Sequence, residues 1–332
     1  MTTMGFVVLS HRSPAQTARL VRTLTLAYGE PQIAVHHDFS QCPFDEPLVG
    51  AAQFVRPHLA TAWADFSVVE ATVVAIRELL ERPERPDWIH VLSGADYPVR
   101  PAAEVVAELE SGGVDALMEV VPVVEDRARR DFRFGSPRRH LDALPPLPLR
   151  IRTVKYHGTV PGELLRRAQL RHDWRGESRS LWANGRRCYA GSQWFSVNAA
   201  AATEIVEHHA RDRGLARHFR WGMFPEESYL QTIVGNAPHL VAGGDHRRYI
   251  RWPYQVDGMD DAPVDDHQPV QRRWWTKRQF WDFQQSKLSH PAILVPSMLP
   301  DIVASGAYFG RKVDPAVNSE VLDLLDEHLG IA

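Results

Sequence analysis

Gly5-Phe-Val-Val-Leu-Ser-His11 and Gln32-Ile-Ala-Val-His-His-Asp38 are the two stretches that decide the fold. Each is a short apolar run that turns polar at its carboxyl end, the pattern of a strand buried on both faces. Between them Ser13-Pro14 reads as an N-cap with proline at N1, and Leu20, Val21 and Leu24 recur at helical spacing. A strand, a helix and a strand within about 35 residues form a βαβ unit, so the sheet begins parallel. Ligands of such sheets bind beyond the carboxyl ends of the strands. Those ends are Ser10-His11 and His36-His37-Asp38.

Outward from this unit the alternation continues. The spacing predicts an amphipathic helix over 68–80, a strand over 87–93 broken by Gly94-Ala-Asp-Tyr-Pro98, a helix over 102–110 and a strand over 114–119. The pattern loosens over 121–185, rich in Arg, Pro and His, which reads as an inserted irregular region shaping one face. A strand over 191–197, a helix over 199–209, a helix over 229–234 and a strand over 249–254 follow. An acidic loop over 257–269, an aromatic and basic stretch over 271–288 and a closing amphipathic helix over 316–329 complete the chain. The expectation is a single α/β domain over 1–332, a mostly parallel sheet flanked by helices.

Composition narrows the function. The chain has 332 residues, 44% hydrophobic and 24% charged, with a net charge of −3. These are values of an ordinary globular protein, without a general nucleic-acid or membrane signal. Six arginines within 127–139 form a local basic stretch. Cys42 and Cys188 are the only cysteines, too few for a cysteine-rich zinc site or a disulfide framework. With no basic leader before the first strand and no apolar run of about 20 residues, the expectation is a cytoplasmic protein without a membrane span. Abundant Arg, Ala and Val with few Lys point to a bacterial genome of high GC content.

The chemistry concentrates in Arg220-Trp-Gly-Met-Phe-Pro-Glu-Glu-Ser-Tyr-Leu230, read as a loop turning into a helix with Pro225 at its first position. Glu226 and Glu227 there serve either as first-turn carboxylates facing the helix dipole or as a general base at the lip of a pocket. No G-x-x-x-x-G-K-[ST] loop, G-x-S-x-G elbow or H-E-x-x-H helix occurs. A doubly wound sheet without a glycine-rich phosphate loop suits nucleotide-sugar transferases of the GT-A type. Most of these hold a divalent metal through Asp-x-Asp, which this sequence lacks. Fixed cations must then neutralise the leaving diphosphate, and Arg311-Lys312 is the candidate pair.

In this combination the chain resembles the core-2/I-branching β-1,6-N-acetylglucosaminyltransferase and peptide O-xylosyltransferase family (glycosyltransferase family 14). The motifs run in order: His36-His-Asp38, Trp63-Ala-Asp-Phe-Ser67, Leu92-Ser-Gly-Ala-Asp-Tyr-Pro98, Gly191-Ser-Gln-Trp-Phe195, Pro225-Glu-Glu227 and Phe309-Gly-Arg-Lys-Val-Asp314. The resemblance implies a GT-A fold and an inverting, metal-independent transfer from a UDP-sugar, with no cofactor beyond that co-substrate. It implies Glu227 as the general base, Val8 and Asp38 at the uridine, and Arg311 and Lys312 at the diphosphate. It further implies Trp252 and Tyr254 along the acceptor, with Asp96 near the reacting sugars. His11, at the end of the first strand, joins the donor-binding candidates.

These residue types fit the reaction. Inversion needs one base for the acceptor proton, and the departing diphosphate needs positive charge already in place. UDP-GlcNAc is the first expectation for the donor and UDP-xylose the second. The acceptor is a glycan, a lipid-linked saccharide or a small molecule. The chain departs from the family at Ser289-His-Pro-Ala292, where many members carry His-Pro-Arg, and Arg251 or Lys287 is the alternative cation. Two other readings remain: a GT-A domain that binds sugar or nucleotide without turnover, and a glycoside hydrolase using Glu226 and Glu227. Adjacent helical residues diverge by about 100°, which disfavours the second.

Overall fold

The computed structural model describes residues 2–122, 185–220, 224–252 and 291–331. These residues fall into two compact units. One comprises Met1–Gly94 with Ala102–Arg247, the other Ala95–Pro101 with Arg248–Ala332, each taken over its described residues.

In the first unit β1 (Met4–Ser10), α1 (Pro14–Tyr28) and β2 (Gln32–His37) form the expected βαβ crossover. β1 pairs in parallel with β2 and with β4 (Trp88–Ser93), and β2 with β3 (Ala52–Phe54). β9 (Ser196–Asn198) runs antiparallel between β4 and β6 (Ala116–Leu117), giving the order β3-β2-β1-β4-β9-β6. The sheet is thus mostly parallel and flanked by helices, the α/β class the sequence predicts. β1 has a neighbour on each side, so Phe6, Val7 and Val8 are fully buried. α2 (Phe66–Glu81) lays Val69, Val73, Ile76 and Leu79 on the same core, each burial stabilising by about 1.5–3 kcal/mol. α4 (Ala199–Arg211) and α5 (Arg213–Arg220) complete this layer with Ile205, Leu215 and Phe219.

Local chemistry differs from the sequence reading in several places. Ser13 stands at the N-cap of α1, yet its backbone is left-handed (φ 50°) and its side chain makes no capping bond. Its carbonyl instead receives the N–H and the hydroxyl of Thr17 at 3.0 and 3.3 Å. The strand expected over 191–197 is interrupted. Tyr189–Ala190 (β8) pairs with Val121–Pro122 (β7), and only Ser196–Asn198 reaches the main sheet. The cause lies at Gly191 and Ser192: a Cβ on Gly191 would stand 2.0 Å from the Glu119 carbonyl oxygen, and the Ser192 N–H donates to the Glu119 carboxylate at 2.8 Å. The chain is therefore bent around Glu119 rather than laddered.

The second unit holds a three-stranded sheet, β10 (Arg248–Ile250), β11 (Phe309–Arg311) and β5 (Asp96–Pro98), with β11 central. β10 is parallel and β5 antiparallel to it. α3 (Ala102–Glu110), of the first unit, follows β5 in the chain. α7 (Leu299–Ala304) and α8 (Glu320–His328) belong to the second unit, where the buried Tyr97 hydroxyl donates to Asp326 at 2.7 Å. The closing helix begins later than 316 because Asp314 builds a turn, receiving the N–H groups of Ala316 and Asn318. Among the described residues no helix is long and apolar enough to cross a membrane. Most of the 121–185 insertion with its six arginines, the 257–269 loop, the 271–288 stretch, Tyr254 and Lys287 lie outside the described residues.

Candidate active site

The carboxyl ends of β1, β2 and β4 meet at the rim of the first unit. There the Asp38 N–H donates to the Ser10 carbonyl and the Gly94 N–H to the Leu9 carbonyl, both at 2.9 Å. Gly94 is required by space, since a Cβ would lie 2.6 Å from the Thr17 hydroxyl on α1. Val8 sits mid-strand with its side chain in the core, and His11 is exposed just beyond the strand.

Asp38 organises the loop that follows it. One carboxylate oxygen accepts from the Ser40 N–H and hydroxyl at 2.9 and 2.6 Å. The other accepts from Gln41 Nε2 at 2.6 Å, the Thr61 N–H at 2.7 Å and the Thr61 hydroxyl at 3.1 Å. Burial pushes this carboxyl up, but the donors from Ser40, Thr61 and Gln41 outweigh it and hold it well below the usual carboxylate range. His37 accepts from the Ser10 hydroxyl at Nδ1 (2.8 Å) and donates from Nε2 to the Cys42 carbonyl (2.7 Å), because a carbonyl can only accept. His36 is pushed down to about 4, chiefly by burial, and its neutral Nε2 accepts the Leu59 N–H at 3.2 Å.

From Thr61 the same loop runs to the Pro225–Glu227 turn. Asp65 caps α2 by accepting from the Ser67 N–H at 2.9 Å, and the Ser67 hydroxyl accepts from the Ala62 N–H at 3.1 Å. This locks the Trp63–Ser67 motif into a fixed turn. Trp63, 48% exposed, places its ring edge-on to Phe224 at 5.2 Å. Phe224 has left-handed backbone (φ 51°) and directly precedes the turn. Arg220, at the end of α5, stacks over Phe66 at 4.9 Å and pairs with Glu70.

The turn itself is one turn of 3-10 helix, Pro225–Glu227, ahead of α6 (Tyr229–Gly235). The two glutamates therefore precede the α-helix instead of forming its first turn, and the dipole of so short an element explains little. Their side chains are treated differently: Glu226 is 7% exposed, while Glu227 is half-buried. Glu227 is held through its backbone, its carbonyl accepting the Gly191 N–H and its N–H donating to the Phe224 carbonyl, both at 3.0 Å.

The cationic candidates lie in the second unit. The β5–β11 register sets Arg311 opposite Asp96, and the guanidinium approaches the carboxylate at 3.2 Å. Asp96 is fully buried and Arg311 nearly so. Burial lowers the Arg311 pKa, and the neighbouring Asp96 carboxylate opposes that shift. Lys312 is half-buried, with its backbone bonded to Ala292 and Leu294. Ala292 in turn donates to the Arg251 carbonyl at 2.7 Å, while the Arg251 guanidinium pairs with Asp301 at 3.0 Å. Trp252 is half-buried at the end of the described stretch that carries β10.

The structure thus joins Asp38, through Thr61 and Trp63, to the turn bearing Glu227, and it joins Asp96 to Arg311. Thr61 and Phe224, which take part in these arrangements, are not singled out by the sequence reading. Their only sequence signal is proximity to a motif. Among the described residues no group of three or more His, Cys, Asp or Glu side chains is placed to hold a metal ion.

No protein-family model matches the chain. Among curated proteins it is 24% identical over 293 residues to xylosyltransferase 1 of Rattus norvegicus, covering 82% of this chain and 28% of that protein. It is likewise 24% identical to xylosyltransferase 1 of Homo sapiens, with 82% and 24% covered. It is 21% identical to xylosyltransferase oxt of Drosophila melanogaster, with 83% and 27% covered. The likeness implied by the six motifs therefore extends over most of the chain, which spans about a quarter of the length of these relatives. Among solved structures, the galactosyltransferase LgtC in complex with donor and acceptor sugar analogues aligns at a TM-score of 0.36 and 10% identity, over 98% of this chain and 96% of its own.

Proposed function

We propose that this protein is an inverting, metal-independent glycosyltransferase that moves a sugar from a UDP-sugar to an acceptor hydroxyl, with Glu227 as the general base. The observation that carries the proposal is the different treatment of two adjacent carboxylates. Glu226 is turned into the fold, whereas Glu227 is partly open and its backbone is bonded on both sides. A base must be both reachable and fixed, since misplacement by about 1 Å can cost about a hundredfold in rate.

The remaining roles follow from the chemistry of each group. Arg311, whose guanidinium faces Asp96 at 3.2 Å, and Lys312 supply the fixed positive charge for the leaving diphosphate, the task a metal performs in other transferases. Asp38 acts at the nucleoside end of the donor by shaping the loop from 39 to 61, with Val8 and His11 on the adjoining strand end. Trp252 and Tyr254 offer aromatic faces to an acceptor sugar. GlcNAc is the first candidate for the transferred sugar and xylose the second, the latter matching the names of the relatives. The acceptor is a glycan, a lipid-linked saccharide or a small molecule.

A donor panel tests this directly. Purified protein incubated with UDP-GlcNAc, UDP-xylose, UDP-glucose and UDP-galactose releases UDP from one donor well above the others as that sugar passes to water, with the same rate in excess EDTA. A protein that binds a UDP-sugar yet releases no UDP is a binding module. Activity lost in EDTA and restored by Mn²⁺ overturns the metal-independent mechanism.

A further inference from the structure

Gln231 lies on α6, one turn beyond Glu227, and is fully buried. Its Nε2 donates to the Ser192 carbonyl at 2.7 Å and reaches the Glu226 carbonyl at 3.5 Å. One residue before Ser192, the Gly191 N–H donates to the Glu227 carbonyl. The 191–192 segment is itself fixed by Glu119, which accepts the Ser192 N–H. Two carbonyls beside one amide nitrogen settle its orientation, because the flipped amide would set oxygen against oxygen. In that orientation Oε1 is buried without a hydrogen-bond partner among the described residues. An apolar side chain of equal size would avoid that cost. The amide therefore earns its place through the bond its N–H makes.

We infer that Gln231 is a positioning residue for the general base: it ties the Pro225–Glu227 turn to the 191–192 segment so that Glu227 keeps one height and direction at the site. The inference rests on the reading of Glu227 as the base. Gln231 touches no reacting atom in this scheme and acts only through the turn.

The test compares three variants. Gln231→Met keeps length and volume but removes the donor; Gln231→Glu keeps shape but sets an oxygen toward the carbonyls; Gln231→His restores a ring N–H. The expected result is a kcat about tenfold lower for Gln231→Met and lower again for Gln231→Glu. Gln231→His stays within about threefold of the parent, and UDP affinity by calorimetry stays within about twofold in all three. A folded Gln231→Met with the parental kcat overturns the inference, as does a loss of UDP affinity in step with kcat, which marks general damage. If Gln231→Met does not fold, the His and Glu variants decide: equal kcat in the two overturns it. Glu227→Gln is assayed alongside. If that variant turns over normally, the base assignment has failed and this inference falls with it, whereas failure of the Gln231 series alone leaves the assignment standing.

Discussion

His36 and Asp38 stand one residue apart at the end of β2, and their surroundings set opposite charge states. Burial keeps His36 neutral, with a pKa pushed down to about 4, while hydrogen bonds from Ser40, Thr61 and Gln41 overcome burial and keep Asp38 ionised. A histidine whose folded pKa lies below its unfolded value of about 6.5 leaves the unfolded chain binding more protons between those two values. Stability then rises with pH in that window and is lost as pH falls. Chemical denaturation at pH 6.5 and pH 5 should show a drop of about 2 kcal/mol from this group, absent in His36→Gln; an equal drop in that variant removes His36 as the cause. The cationic pair yields a second expectation. Lys312→Gln, at a half-buried position that leaves Asp96–Arg311 intact, should weaken UDP binding about tenfold by calorimetry, and unchanged affinity refutes its role. Arg311 is named from sequence as a fixed cation where no Asp-x-Asp occurs, and Asp38 and Glu227 through the motifs that carry the family resemblance. Thr61 and Gln231 are not, because their roles exist only in contacts across 23 and 39 residues.

Among the elements, the 3-10 turn at Pro225–Glu227 depends on neighbours rather than on its own propensity. Three residues cannot hold themselves. Trp63 packs on the preceding Phe224, Gly191 bonds the Glu227 carbonyl and Gln231 ties the turn to Ser192. Gly191→Ala should loosen this arrangement, since the new Cβ would stand 2.0 Å from the Glu119 carbonyl oxygen and the backbone must move. The expected outcome is a loss of roughly 2 kcal/mol in stability and a kcat about tenfold lower in the protein that remains folded. A variant with parental kcat contradicts the dependence. Some elements were legible locally: β1, β2 and β4 as short apolar runs, and α1 and α2 by apolar residues at helical spacing. β3 and β5 are three residues each, too short for any period, and their pairing is decided by strands far away in sequence. The break in the 191–197 strand was equally hidden, because it is imposed by Glu119.

For the whole molecule, the described residues form two compact units: the first contains Asp38 and Glu227, the second Asp96, Arg311 and Lys312. The sequence shows this division poorly, because β5 enters the second unit's sheet for three residues before the chain returns to α3. The parallel α/β arrangement was readable from the opening βαβ unit. The central claim is that Glu227 removes the acceptor proton during transfer. The most direct measurement compares the parent with Glu227→Gln, following UDP release with the donor selected from the panel and UDP affinity by calorimetry. The account predicts that transfer falls by about a hundredfold or more while UDP affinity stays within about twofold of the parent. A Glu227→Gln protein that turns over at near-parental rate contradicts it.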